Sequence, residues 1–338
     1  MAVYTTIDNP ELYFQVKAYT GTDASPQAFT LDGDENMQPD LVWIKNRGYA
    51  NKNVLFDSVR GVNKSLTSDS TAAEVDQNSD GGYVSAFGSD GFTLTEGSSS
   101  DNDTNDDRYT YVAWCWKESA TAGFDIVIRT GNGSAGTVSH NLSAVPRFIM
   151  TKCRSAVEQW IVQHGSLGAT KHLILDSTAA ESTAGNRWND TTPTTSVYSI
   201  GTDADVNGNT ETFVDYVFAE KQGFSKFGSY TGNGNANGTF IYTGFRPAWV
   251  MIKSSSSTES WVIFDNKREG YNPQNDFLRA DTTGVEANTT ADIDLLSNGF
   301  KNTSAGSGHD NDSGQTYIYA AFAEAPFVNS NGVPCNAR

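Results

Sequence analysis

The sequence predicts an all-β protein built from three tandem antiparallel β-sandwiches, and three observations support this fold class. Gly, Ser, Thr, Asn and Asp crowd short connecting stretches, while long windows rich in Ala, Leu, Glu and Lys are missing. Apolar residues alternate with a period of two over short runs. A set of sequence markers recurs three times in one order.

The first two markers are a Thr-Gly step and a proline that opens an apolar strand ending in lysine. Another strand begins shortly after each lysine, at Asn53, Trp160 and Trp261. Ser-Asp/Asn-Gly-Phe segments begin at Ser89 and Ser297, and each copy closes on a strand with an aromatic centre, around Trp114, Phe218 and Phe322. The Thr-Gly steps begin at Thr20, Thr130 and Thr231, and the proline strands are Pro39–Lys45, Pro146–Lys152 and Pro247–Lys253.

The period of about 100 residues is much longer than a solenoid repeat. We therefore expect each copy to be a sandwich domain with its own core: residues 1–120, 121–222 and 223–338, the last with a C-terminal tail. The junctions near Ser119–Gly123 and Lys221–Gly223 are not long Gly/Ser linkers. The domains should therefore lie close together with restricted movement.

The third copy illustrates how the strands of one unit are predicted. In the strand Pro247–Lys253, Trp249 and Met251 share one face while Val250 and Ile252 share the other, so both faces are largely apolar. Its proline opens the strand, where the missing N–H does least harm. Together with the neighbouring runs this gives about seven or eight strands, spaced as in sandwiches and jelly rolls. Helices are expected to be single turns at most.

The formal net charge of −17 disfavours two classes of partner. Acidic surfaces repel nucleic acid and anionic membranes, and we expect the charge to keep a large assembly soluble. Three cysteines, Cys115, Cys153 and Cys335, are odd in number and irregularly spaced, which argues against a disulfide framework or a structural zinc site. The cysteine usage leads us to expect assembly in a reducing cytoplasm. No signal peptide and no apolar run of about 18 residues is apparent, so ordinary secretion is not expected.

An acidic loop precedes each closing strand, and it allows two interpretations. Alternating Asp and Asn side chains on a tight loop supply the oxygen ligands that calcium prefers. The same residues are also those that tight turns select, and Val214 stands where an EF-hand loop needs its bidentate Glu. The candidate calcium ligands are Asp101, Asp103, Asp203, Asp205, Asn207, Asp310 and Asp312.

Sugar-binding candidates are aromatic residues in polar, loop-like contexts, namely Trp188 and Tyr271. The tryptophans within strand patterns are expected in the core: Trp43, Trp114, Trp160, Trp249 and Trp261. The repeated Lys45, Lys152 and Lys253 end apolar strands, where a lysine is expected to reach water or to block edge pairing rather than to bind a ligand.

Enzymatic constellations are not apparent in the sequence. The carboxylate pair of a sandwich glycosidase, an HExxH zinc motif, a GxSxG elbow and a phosphate-binding P-loop are all missing. A scaffold repeated three times without a repeated acid/base pair is a poor candidate for an enzyme, and no catalytic residue or cofactor is expected.

Several longer strings resemble a known family. PDLVWIKNR, LFDSVRG, GFSKFGSYTGNG and FIYTGFRPAWVMIK are similar to an uncharacterised virion protein family of marine tailed phages with tail-fibre-associated, concanavalin A-like (lectin-type jelly-roll) domains. The likeness runs from Tyr13 to Val333. It implies a jelly-roll fold and a structural role in the particle, but it carries over no catalytic or sugar-binding residue.

Apart from a depolymerase, which we place last, three functions remain open. The first is a tail fibre or tail appendage subunit that assembles as a homo-oligomer, such as a trimer, and attaches to the host surface. The second is a capsid decoration protein or head fibre. The third is a carbohydrate-binding module for host polysaccharide. All three place the protein on the virion, at the tail or the capsid surface, among other virion proteins.

Overall fold

The computed structural model describes residues 4–77, 81–96, 104–306 and 308–335. As predicted, the fold is all-β with antiparallel sheets. One 3-10 turn, Pro10–Leu12, precedes the first strand, and its N-cap Asn9 accepts a hydrogen bond from the Glu11 N–H. The strands of the first repeat are β1 (Phe14–Thr20), β2 (Gln27–Phe29), β3 (Leu41–Asn46), β4 (Asn53–Asp57), β5 (Lys64–Thr67), β6 (Val75–Asp76), β7 (Tyr83–Gly88), β8 (Gly91–Thr95) and β9 (Thr110–Trp116).

The second repeat holds the two α-helices that the described residues form, each of a single turn. The elements of this repeat are β10 (Phe124–Thr130), β11 (Gly136–Ser139), β12 (Pro146–Cys153), β13 (Ile161–His164), β14 (Lys171–Ile174), β15 (Ser182–Thr183), α1 (Gly185–Trp188), β16 (Val197–Ile200), α2 (Ala204–Asn207) and β17 (Thr212–Ala219). Where it is described, the third repeat contains strands and no helix: β18 (Ser225–Thr231), β19 (Phe240–Tyr242), β20 (Phe245–Ser254), β21 (Val262–Asp265), β22 (Gln274–Arg279), β23 (Ala287–Leu296), β24 (Gly299–Asn302) and β25 (Thr316–Pro326).

Each repeat contributes one main sheet with the same strand order. The orders are β1-β9-β3-β4-β5-β6, β10-β17-β12-β13-β14-β15 and β18-β25-β20-β21-β22-β23. A second layer is formed by β2-β8-β7 in the first repeat and by β11-β16 in the second. In the third repeat the main sheet continues into β24 and β19, and β23 and β24 fold back to contact β20. The proline-opened strands thus lie in the middle of each main sheet.

The two faces of a main sheet pack in different directions. In β3, Val42 and Ile44 point into the interior of the first sandwich, whereas Trp43 points away from it. The Trp43 face joins a core that draws on all three repeats. The first and second repeats thus have interiors of their own, and the three main sheets also pack together on their remaining apolar faces.

Three equivalent aromatic side chains mark the centre of this shared core. Trp116, Phe218 and Phe322 occupy the same position of the three closing strands, as their registers with β3, β12 and β20 indicate. Their ring centroids lie 6.5, 5.6 and 5.6 Å apart, so each ring contacts the other two. The three main sheets therefore pack as a closed ring around a pseudo-threefold axis.

Candidate functional site

The residues shared by all three repeats lie mainly at the seams of the ring. We name the first seam between repeats 1 and 2, the second between repeats 2 and 3, and the third between repeats 3 and 1. Only the third seam has no peptide connection across it, so side-chain and backbone contacts alone close the ring there.

The three repeated lysines are buried at the seams, so the prediction that they reach water or block a sheet edge is wrong. Lys45, Lys152 and Lys253 are all 0% exposed. The Lys152 Nζ donates to the Thr71 carbonyl at 2.8 Å and also to the Glu158 carbonyl. A buried ammonium needs such acceptors, and here a loop of another repeat supplies one of them.

The lysine contacts run in one direction around the ring. Lys253 donates to the Thr178 carbonyl of repeat 2 at 3.2 Å, and Lys45 lies 3.4 Å from the Thr282 carbonyl of repeat 3. Burial lowers the pKa of Lys45 and of Lys253 to about 8, and it also lowers the pKa of Lys152. Each lysine therefore joins its own strand to the repeat before it in the ring.

The loops that receive the lysines form a further repeat marker, which the sequence analysis missed. They read Asp-Ser-Thr-Ala-Ala-Glu from Asp69 and from Asp176, and Asp-Thr-Thr-Gly-Val-Glu from Asp281. The glutamate N–H of each loop donates to a backbone carbonyl of the next repeat. These bonds are Glu74 to Arg154 at 2.8 Å, Glu181 to Ser255 at 2.8 Å and Glu286 to Arg47 at 2.9 Å. The motif begins at a nearly constant distance after each repeated lysine, and this spacing could have revealed the motif from the sequence.

Glutamate–arginine clusters reinforce two of the three seams. In the first seam, the Glu74 carboxylate accepts hydrogen bonds from Arg60 and from Arg154 of the next repeat. In the third seam, Arg268 and Arg47 bind Glu286 in the same way. These contacts keep the pKa of Glu74 below its usual value despite burial, which raises it.

The described residues of the second seam do not form such a glutamate–arginine cluster. Leu167 and Ser255 stand where the other seams have arginines, and Glu181 pairs instead with Lys171 of its own repeat. In its described residues, the second seam therefore has no glutamate that is bound by two arginines.

A second set of polar contacts lies deeper in the core. The Tyr216 hydroxyl donates to Asp57 at 2.7 Å across the first seam, and the Trp114 indole N–H donates to Asp265 at 3.0 Å across the third. At the same position of the second seam, His164 Nε2 donates to the Tyr319 carbonyl at 3.1 Å. Burial lowers the pKa of His164 to about 4, so this imidazole is neutral at pH 7.

A carboxyl group that has no cationic partner among the described residues distinguishes the first seam. Glu118 accepts a hydrogen bond from the Ile126 N–H at 3.0 Å, and its neighbours are the carboxylates Asp125 and Asp40. Burial, followed by these carboxyl neighbours, raises the pKa of Glu118 to about 7. In the second seam the equivalent Glu220 forms an ion pair with Lys226 at 2.6 Å.

In the second repeat, the calcium candidates are held by protein groups. Asp203 caps α2 by accepting from the Asp205 N–H, while Asp205 accepts from the Gln159 N–H and from Arg187 at 2.6 Å. Asn207 is buried, and its amide donates to two backbone carbonyls of the surrounding loop. This loop is thus ordered by an arginine and a structural asparagine.

Asn207 has counterparts in the other two loops. Asn105 and Asn311 are also buried, and each accepts a backbone N–H from the segment after the Thr-Gly step. Gly131 of that step lies so close to the loop that a Cβ would come 2.2 Å from the Gly208 carbonyl. The repeated Thr-Gly and Asn markers therefore fit one backbone segment against another.

The candidates of the other two loops have different environments. Asp310 is buried beside Asp292 and His309, and the His309 Nε2 lies 3.3 Å from Asp292. In the described part of the chain, this group and a more exposed group, Asp23, Asp106 and Asp107, bring ligand atoms close enough to share an ion. Asp312 is half-buried and belongs to neither group, and Asp101 and Asp103 lie outside the described residues.

The two sugar-binding candidates lie in opposite environments. Trp188 is 0% exposed in the interior of the second sandwich, so its selection as a sugar platform was wrong. It ends the one-turn helix α1, which turns the indole inward, although its sequence neighbours are polar. Tyr271 is 68% exposed and remains accessible to a ligand. The core assignment is confirmed for the buried Trp43, Trp114, Trp160, Trp249 and Trp261.

Comparison with known proteins identifies the family of the chain. A family model described as a domain of unknown function, DUF7483, matches residues 9–326. The chain belongs to the DUF7483 family. No curated protein and no solved structure matches it. The DUF7483 match spans all three repeats as one unit, in agreement with their shared core.

Proposed function

We propose that this DUF7483 protein is a non-enzymatic structural subunit of a phage particle. The observation that carries the proposal is the use made of the repeated polar residues. Lys45, Lys152 and Lys253 all bond across seams, and the buried asparagines bond backbone within their own repeats. A chain that repeats its polar residues to close a ring is organised as a rigid building block.

Two further features support a role in an assembly. The net charge of −17 favours solubility of a large particle, and it disfavours nucleic acid as a partner. No helix in the described ranges has the length and apolarity required to cross a bilayer. We place the protein at the tail, as a fibre or appendage subunit that forms homo-oligomers and contacts the host. Decoration of the capsid is the alternative position.

The proposal is tested on purified particles. Antibodies raised against the full chain, coupled to gold, should label the virion in electron micrographs, and mass spectrometry should find the chain at a fixed number of copies per particle. Label at the tail supports an appendage, and label on the head supports decoration. Recovery of the chain from the lysate but not from washed particles would overturn the virion role.

Sugar binding is a second candidate function, because Tyr271 is exposed on a loop. An exposed aromatic ring can stack on a sugar face. A glycan array probed with the full chain should then give signals that Tyr271→Ala abolishes and that the exposed control Tyr49→Ala retains. An array without signals would exclude this function.

A further inference from the structure

The second seam contains a groove that its counterpart in the third seam nearly lacks. It has a volume of about 540 Å³ and is lined by Arg147, Ser166, Glu220, Tyr319 and the segment Lys226–Ser229. At the equivalent place of the third seam the cavity is only about 80 Å³. A groove of the larger volume at a junction of domains has the size of a ligand site.

The groove runs along the free edge of β18. Four consecutive residues of this strand line it, which requires a groove that follows the edge of the sheet rather than one of its faces. Among the described strands, β18 is the terminal strand of its sheet and pairs with β25 alone. Gly228 lies at its middle, where β1 has Lys17 and β10 has Val127. The Tyr319 side chain of the neighbouring strand fills the space that a side chain at Gly228 would take, and it forms part of the groove wall.

The first seam shows what such an edge can bind. There the Ile126 N–H of β10 points away from the sheet and donates to the carboxylate of Glu118. Phe227 holds the same position in β18, but Lys226 holds the equivalent Glu220 in an ion pair. Across the described residues, no acceptor for the Phe227 N–H is found on the groove side. The N–H and C=O groups of Phe227 and Ser229 therefore face the groove, because alternate residues of an edge strand point the same way.

The charge of the groove selects the kind of ligand. Arg147 is exposed on its wall and forms no ion pair in the described part of the chain, although the protein is strongly acidic. With Lys226 opposed by Glu220, Arg147 leaves the groove with an excess positive charge. We infer that the groove binds an extended acidic peptide segment, which adds as a further strand to β18 and places a carboxylate on Arg147.

The inference is tested with the isolated full chain, so its outcome does not depend on whether the protein is found on particles. The probe is the blocked pentapeptide acetyl-Thr-Val-Asp-Val-Thr-amide, and its twin has Asn in place of Asp. Amide NMR spectra should show shifts centred on Phe227 and Ser229. The Asn peptide, and the chain with Arg147→Ala, should each bind about fivefold more weakly. Lys64→Ala, a surface charge change outside the groove, should leave the affinity unchanged.

Three results would overturn the inference, two with the peptide and one with a saccharide. In the first two, the peptide shifts no amide of β18, or Arg147→Ala leaves its affinity unchanged. In the third, digalacturonate shifts the same amides while the peptide shifts none, which would assign the groove to an acidic saccharide. Arg147 is exposed, so its replacement leaves the fold intact and every outcome can be interpreted.

Discussion

At the scale of single residues, Glu118 makes the stability of the first seam depend on pH. Its pKa is about 7 in the folded protein, whereas a free glutamate has a pKa near 4.5. The folded state therefore binds this proton more tightly, and the stabilisation is present below pH 4.5 and lost as the pH rises through 7. Because Glu118 is only half-buried, we expect an effect of about 1–2 kcal/mol.

Glu118→Gln should remove this dependence by keeping the side chain neutral. At pH 8 the variant should exceed the wild type in free energy of unfolding, and at pH 4 the two should be similar. Chemical denaturation at both pH values measures the difference. Glu220→Gln is the matched control, since Lys226 neutralises that position, and it should give no gain at pH 8. An equal pH slope in wild type and Glu118→Gln would contradict this explanation.

The buried lysines make a second prediction at this scale. Lys253 donates to the carbonyls of Thr178, Ser254 and Ser257, so Lys253→Met would remove one donor from each of them. The Thr178 carbonyl would keep its hydrogen bond from the Glu259 N–H. We expect a loss of about 2–4 kcal/mol in the free energy of unfolding. The control Lys64→Met breaks only an exposed ion pair and should change stability by less than about 0.5 kcal/mol. A more stable Lys253→Met would show that burial of the ammonium outweighs its hydrogen bonds.

At the scale of elements, the acidic loops allow the two interpretations of their Asp and Asn residues to be separated. The Asn207 amide donates to the Ser134 and Gly201 carbonyls and accepts from the Asn132 N–H. Asn207→Ala should therefore lower the free energy of unfolding by about 2–3 kcal/mol, equally with calcium or with a chelator. Exposed Asn331→Ala is the control. Stabilisation of the wild type by calcium, lost in Asn207→Ala, would instead establish a metal site.

The strands were predictable from the sequence because their signal is local. The run NVLFD coincides with β4 (Asn53–Asp57), and the third proline-opened strand lies within β20. Turn residues and period-2 alternation define such elements without knowledge of their partners. The helices were likewise correctly expected to be single turns.

The seams were not predictable, because their contacts join residues far apart in the chain. A strand that is apolar on both faces looks the same whether its second face packs in its own sandwich or against another repeat. A lysine at a strand end is usually solvated. Lys45 instead contacts the carbonyl of Thr282, which lies 237 residues away in the chain. Trp188 was misplaced for a related reason, since one helical turn directs it into the core.

At the scale of the whole molecule, the shared core should make the three repeats unfold together. Trp116, Phe218 and Phe322 belong to different repeats and contact one another, so loss of one repeat would expose the inner faces of the other two. Replacing Phe322 by Ala should cost about 3–5 kcal/mol and lower a single unfolding transition. Calorimetry measures the number and the temperature of the unfolding transitions. Phe240→Ala is the control, because Phe240 is at an exposed position. Separate transitions, with only one affected, would contradict a shared core.

The closed ring also predicts that the protein can fold when its chain termini are moved to another junction between repeats. The N-terminal segment contacts the C-terminal one, since the Ser330 N–H donates to Asp8 at 2.6 Å, so a short flexible linker can join them. A circular permutant that instead opens between Ala122 and Gly123 keeps every sheet intact, because that junction is a tight turn outside the strands. It should retain the circular dichroism spectrum and the single transition of the wild type.

A second permutant, opened between Tyr216 and Val217 in the middle of β17, is the matched control. It has the same linker but divides a strand that pairs on both sides, so it should not fold. If the permutant opened at Gly123 lost the cooperative transition while keeping its strands, the repeats would be separate domains held in order by the chain. We expect that permutant to show the same single unfolding transition as the wild type. The reason is that side-chain and backbone contacts at the seams close the ring wherever the chain is opened outside a strand.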